Sequence, residues 1–224
     1  PPMPRIRTRR RSSGPAGTPE AIQEVAQSAE LSAPVSPGVE LCYQTFGNAD
    51  DEPLLLVMGL GGPMTWWDPS FCRMLAEAGF FVIRYDNRDT GRSSRGTGRV
   101  TRGMLVQAFL GRPVRPPYTL ADLARDGFGL LDHLGIESAH VVGVSMGGMI
   151  VQTMAIQDQS RVRSLVSIMS TTGRRTVGWL DPRLLPMMLG RRGSTLEEYV
   201  EASVKGAAAI GSPAYLEPED AARA

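Results

Sequence analysis

From Leu54 to Met58 five apolar residues run without a break. No polar position interrupts them, the mark of a strand covered on both faces. Phe80-Phe81-Val82-Ile83-Arg84-Tyr85 and Ala139–Val144 are short, largely β-branched or aromatic runs and predict two further buried strands, and Val162–Met169 predicts one more strand. Gly38–Phe46 instead alternates apolar with polar residues, as an edge strand open on one face does, and Gly47–Asp51 turns the chain. Between these runs the period changes to that of a helix. Trp67–Ala78, Leu120–Leu134 and Met146–Gln157 are the predicted helices; in the last, Met146, Met149, Ile150, Thr153 and Met154 recur at helical spacing. Strands alternating with helices require a mostly parallel sheet with helices wound on both faces, an α/β architecture.

The two ends read differently. Residues 1–34 are expected to form a basic tail, disordered at its start, with room for one short helix. Thr18 would cap that helix, Pro19 would open it, and Ile22, Val25, Ala26 and Ala29 would share a face. Residues 35–173 form the expected core. From 174 to 224 no strand is predicted, and Pro182, Pro186, Gly190, Gly193, Gly211, Pro213 and Pro218 break the helical pieces, as in a partial helical lid.

With 224 residues, 42% of them hydrophobic, the chain can bury one sizeable core. Its formal net charge of +1 gives no reason to expect nucleic acid as a partner; Arg5, Arg7, Arg9, Arg10 and Arg11 read as a solvated tail. No apolar segment follows them, so no secretory signal and no membrane partner are expected. Cys42 and Cys72, the only cysteines, suit a reducing compartment, and a cytoplasmic location is expected.

Candidate chemistry lies where Ala139–Val144 meets Met146–Gln157. Gly143-Val144-Ser145-Met146-Gly147 has the form G-x-S-x-G at a strand-to-helix junction, the nucleophile elbow of a serine hydrolase. Ser145 is the candidate nucleophile. The Met146 amide, at the helix start, is a candidate oxyanion donor, since unpaired N–H groups and the helix dipole favour negative charge there. The second candidate amide is that of Leu60, in Gly59-Leu60-Gly61-Gly62. That loop also fits a dinucleotide-binding oxidoreductase, with Asp86 ending the next strand, but Met64 stands where the sixth motif position needs glycine. Trp66 and Trp67 either wall an acyl pocket or pack in the core. Asp86 and Arg88 are read as bracing their loop rather than reacting. Met187 and Met188 either cover an apolar substrate or pack the lid.

Met58-Gly59-Leu60-Gly61-Gly62, the run Tyr85–Ser93 (Tyr-Asp-Asn-Arg-Asp-Thr-Gly-Arg-Ser), Pro117-Tyr118-Thr119-Leu120 and Gly143–Gly148 together resemble the α/β-hydrolase superfamily. The similarity is greatest to its aclacinomycin methylesterase-like group within the carboxylesterase branch, and spans about residues 35–173. It implies an α/β-hydrolase fold, a small-molecule ester substrate, an acyl-serine intermediate, and no metal or organic cofactor. It assigns Ser145 as nucleophile and Leu60 and Met146 as oxyanion amides. The triad order it implies is serine, acid, histidine, yet His133 and His140 both precede Ser145. At about 3.3 Å per strand residue, His140 starts its strand far from the serine. No strand-end acid follows residue 173, and Asp181 falls in the lid-like stretch. The expectation is a fragment that lacks its acid, its histidine and its C-terminal strands. A ligand-binding protein without turnover on the same fold is the alternative, and oligomeric state is left open.

Overall fold

The computed structural model describes residues 25–96, 98, 101–109, 112–174, 177 and 195–211. Six strands form one sheet: β1 (Leu31–Ser36), β2 (Val39–Phe46), β3 (Glu52–Val57), β4 (Phe80–Tyr85), β5 (Ala139–Val144) and β6 (Val162–Ile168). Their spatial order is β1-β2-β4-β3-β5-β6. The first two pairings are antiparallel, and β4, β3, β5 and β6 run parallel. The α-helices among the described residues are α1 (Pro69–Glu77), α2 (Arg102–Phe109), α3 (Leu120–His133), α4 (Met146–Gln157) and α5 (Leu196–Ile210).

Strand alternation divides the core in two. Leu55, Val57, Ile83, Tyr85 and Val141 face Leu123, Leu130 and Leu131 of α3 and Ile150 and Met154 of α4. Leu54, Leu56 and Val82 point the other way, onto Cys72 and Ala76 of α1 and Trp67. The uninterrupted apolar run of β3 is thus explained by cover on both faces. Arg84, the one charged residue within β4, is buried on the α1 side. It donates to Gln44 Oε1 and the Trp67 carbonyl, and its guanidinium lies 5.1 Å from the Phe46 ring centre. Burial lowers its pKa. At the far edge β6 is covered poorly: Leu165, Val166 and Ile168 are 36%, 46% and 37% exposed.

Three expectations need correcting. The tail expected through residue 34 ends sooner, because Leu31–Ser36 is an edge strand whose only fully buried side chain is Ala33. The helix that would have included Val25, Ala26 and Ala29 is absent from that span. Residues 26–28 run beside β2 instead, with the Ser28 amide donating to the Thr45 carbonyl and the Gly47 amide to the Ala26 carbonyl. The positions expected from 18 to 24 lie outside the described residues. Finally, α1 starts at Pro69, not Trp67. Asp68 caps it by accepting from the Ser70 amide at 2.7 Å, and proline at the first helical position needs no N–H acceptor. Helix α2 was not foreseen.

Candidate active site

The apolar end of β5 gives way to α4 through Ser145 alone. Ser145 takes φ 57° and ψ −121°, a conformation that L side chains rarely adopt, and its side chain is exposed. The Ser145 amide donates to the Ile168 carbonyl at 2.9 Å, and its carbonyl accepts from the Gly148 amide and from Ser170 Oγ at 2.7 Å. Both flanking glycines are required sterically. A Cβ on Gly143 would lie 2.2 Å from the Gly147 carbonyl oxygen, and one on Gly147 would lie 2.1 Å from that of Val57.

The loop after β3 passes directly beside this serine. A Cβ built on Gly59 would sit 3.1 Å from Ser145 Cβ and 3.5 Å from its Oγ. Gly61 has φ 65°, and the Gly62 amide donates to the Gly59 carbonyl at 3.2 Å. Among the described residues neither the Leu60 amide nor the Met146 amide has a hydrogen-bond acceptor, and no side chain caps α4. The Gly-rich loop does not open a helix, as a dinucleotide-binding turn would; it leads into a single 3₁₀ turn at Met64–Trp66.

The two tryptophans part company. Trp67 is core, packed with Phe46, Leu54 and Cys72 and stacked on Phe71 with ring centres 6.0 Å apart. Trp66 is 40% exposed and lies over the loop, 2.9 Å from where a Cβ on Gly62 would stand. Asp86 and Arg88 also differ from each other. Asp86 binds its own loop through the Arg92 amide at 2.9 Å, but also reaches the Met64 amide at 2.6 Å. Arg88 reaches across to α3, where it makes two bonds to Asp126 at 2.6 and 2.5 Å and lies 5.4 Å from the Tyr118 ring centre. Burial raises the Asp126 pKa despite that partner, and Tyr118 is pushed up to about 12, chiefly by burial. Asn87, which the sequence did not single out, donates to the Met58 carbonyl at 3.0 Å.

Neither histidine approaches Ser145. His140 Nδ1 is 2.7 Å from Ser164 Oγ, and its Nε2 lies 3.8 Å from Glu52, at the opposite end of the sheet. His133 is exposed and meets the Tyr43 ring edge-on at 6.1 Å. Asp181, Met187 and Met188 lie outside the described residues. Among the described residues no group of three or more His, Cys, Asp and Glu side chains is placed to hold a metal ion, and no helix is long and apolar enough to cross a membrane.

Comparison with known proteins agrees with this geometry. The chain is 38% identical over 127 residues to rhodomycin D methylesterase DauP of Streptomyces sp. (strain C5), covering 57% of this chain and 38% of that protein. It is 33% identical over 128 residues to 3-oxoadipate enol-lactonase 2 of Acinetobacter baylyi, covering 57% of this chain and 40% of that protein. It therefore spans about two fifths of the length of these relatives. The structure of 2-hydroxy-6-oxo-6-phenylhexa-2,4-dienoate hydrolase from Rhodococcus sp. strain RHA1 shares the fold, with a TM-score of 0.63 at 20% identity over 80% of this chain and 58% of that one. Residues 52–198, well over half of the chain, match the family described as alpha/beta hydrolase fold, and the chain belongs to that family.

Proposed function

We propose that this chain carries the nucleophilic half of a serine hydrolase that cleaves carboxylic esters of small molecules. The observation that carries the proposal is Ser145 itself, exposed, at positive φ, at the start of α4 and against the Gly59 backbone. In the proposed reaction a base removes the Ser145 Oγ proton as Oγ bonds to the ester carbonyl carbon. The oxyanion so formed is held by the Leu60 and Met146 amides. Collapse breaks the bond to the alcohol oxygen, which leaves with the proton, and an acyl-serine remains. Water, deprotonated by the same base, then attacks the acyl carbon and releases the acid. No step requires a metal or an organic cofactor. A methylesterase and an enol-lactonase among the relatives support an ester as the bond attacked.

The base and its carboxylate partner are proposed to come from polypeptide outside these 224 residues. Two observations support this: both histidines are engaged elsewhere, and among the described residues no strand pairs with the outer edge of β6, which carries partly exposed apolar side chains where a further strand would pair. Residues 174–224, including α5, are proposed as part of a lid, and the cytoplasm as the compartment. The distance of both histidines from Ser145 equally favours a non-catalytic ligand-binding protein, and one experiment separates the two. Hydrolysis of p-nitrophenyl acetate is measured for the chain alone and for the chain continued through its reading frame beyond Ala224. The catalytic reading expects turnover only in the longer protein, lost when its downstream histidine is replaced. No turnover in either form would favour the binding protein, and equal kcat/KM in both would refute an external base.

A further inference from the structure

We propose that Asn87 and Asp86 are positioning residues that set the loop Met58–Met64 and, through it, the aim of the Leu60 amide at Ser145. The inference rests on the serine-hydrolase reading of that site. The two side chains are consecutive, both are almost wholly buried, and they grip the loop at its two ends. Asn87 Nδ2 donates to the Met58 carbonyl at 3.0 Å, and Asp86 Oδ1 accepts from the Met64 amide at 2.6 Å. Between these points lie Gly59, Leu60, Gly61, Gly62 and Pro63. Three of the five have no side chain, and Leu60 is 43% exposed, so little packing of the loop's own fixes its shape.

Peptide planarity turns that grip into an orientation. In a trans peptide the N–H points opposite to the C=O. Asn87 fixes the Met58 carbonyl and with it the Met58–Gly59 plane. The Gly59 carbonyl is turned inward to the Gly62 amide at 3.2 Å, so the Leu60 N–H must face out of the turn. Gly147, at the start of the serine helix, stands against the same Met58 carbonyl; a Cβ on it would lie 2.8 Å from that oxygen. The nucleophile helix and the oxyanion loop therefore share one held peptide.

The holder is itself fixed. Asp86 Oδ2 accepts from the Arg92 amide at 2.9 Å, its own amide donates to the Cys42 carbonyl at 2.9 Å, and its carbonyl accepts from Ser93 Oγ at 2.6 Å. Ser93 Oγ in turn accepts from the Cys42 amide at 2.8 Å, which roots the assembly in β2. Gly91 leaves room for the carboxylate, since a Cβ there would meet Asp86 Oδ2 at 2.0 Å. The order of the pair is chemically determined: a carbonyl needs a donor, which Asn87 supplies, and two amides need an acceptor, which Asp86 supplies.

The test compares wild type with Asn87→Asp, which keeps the shape but sets a carboxylate against the Met58 carbonyl. Asn87→Ala, which removes the donor without adding a charge, serves if the first variant does not fold. Hydrogen exchange on the 224-residue chain is expected to quicken at least tenfold at the hydrogen-bonded loop amides of Gly62 and Met64, while β3 and α4 keep wild-type rates. A merely structural role would quicken all three. In the chain continued beyond Ala224, phosphonylation of Ser145 by a fluorophosphonate is expected to lose at least tenfold in its maximal rate, with the reversible inhibition constant unchanged. Wild-type exchange in the loop overturns the proposal, as does faster loop exchange with an unaltered phosphonylation rate. If wild type itself is not phosphonylated at Ser145, the serine reading fails, and exchange alone decides whether Asn87 and Asp86 hold the loop.

Discussion

Gly147 stands so close to Val57 that a Cβ on it would lie 2.1 Å from the Val57 carbonyl oxygen. The atom it would strike is backbone in the middle of the parallel sheet, not the movable end of a side chain. Helix α4 can reach the end of β3, and Ser145 can reach the Gly59–Gly62 loop, only because position 147 has no side chain. Gly147→Ala is expected to cost about 3 kcal/mol or more, the upper range for overpacking, since neither β3 nor α4 can move without the other. Chemical denaturation of the two proteins checks this; a change under about 1 kcal/mol would mean that the junction is looser than described.

Strain at the elbow predicts a trade of stability against chemistry. Ser145 holds φ 57° and ψ −121°, where a Cβ is disfavoured by about 1–3 kcal/mol, while glycine costs about 0.5–1 kcal/mol more backbone entropy on folding. Ser145→Gly is therefore expected to be more stable than wild type, by about 1 kcal/mol, and to be unreactive toward acylating probes. Thermal unfolding measures the first part. A destabilised Ser145→Gly would show that the serine side chain makes contacts that outweigh its backbone strain.

The two thiols predict an alkaline limit. Burial is the main reason that Cys42 and Cys72 are each raised from 9.0 to about 11. Below pH 9 the folded and unfolded chains both keep these protons. Between pH 9 and about 11 the unfolded chain releases them and the folded chain does not, so stability falls as pH rises. The urea midpoint is expected to decline across that window, and less steeply in Cys72→Ala. At pH 8 both thiols should resist iodoacetamide until the chain is unfolded, because the reagent needs thiolate. Rapid alkylation of native Cys72 would contradict its burial.

What the sequence made legible follows from where the chain's interactions are local. The strands β3, β4 and β5 lie inside the sheet and announce themselves as short, largely apolar runs, with β4 and β5 found to the residue. Helix α4 was equally plain, because its apolar period begins at once after the strained serine. Strand β1 was not visible: its residues are mostly exposed, Pro34 interrupts it, and it is defined by pairing with β2 rather than by its own pattern. The grip of Asp86 and Asn87 on Met64 and Met58 was also hidden, since it joins residues more than twenty positions apart. Aspartate and asparagine after a strand read as ordinary turn residues; only the parallel pairing of β3 with β4 brings the two loops together.

The measurement that tests the account most directly is the site of covalent capture by a fluorophosphonate. The protein, continued through its reading frame beyond Ala224, is treated with the probe, digested and mapped by mass spectrometry. The account predicts a single adduct on the peptide containing Ser145, absent from Ser145→Ala although that variant folds. Adduct formation that survives Ser145→Ala, or that maps to another residue such as Ser164 beside His140, would contradict it.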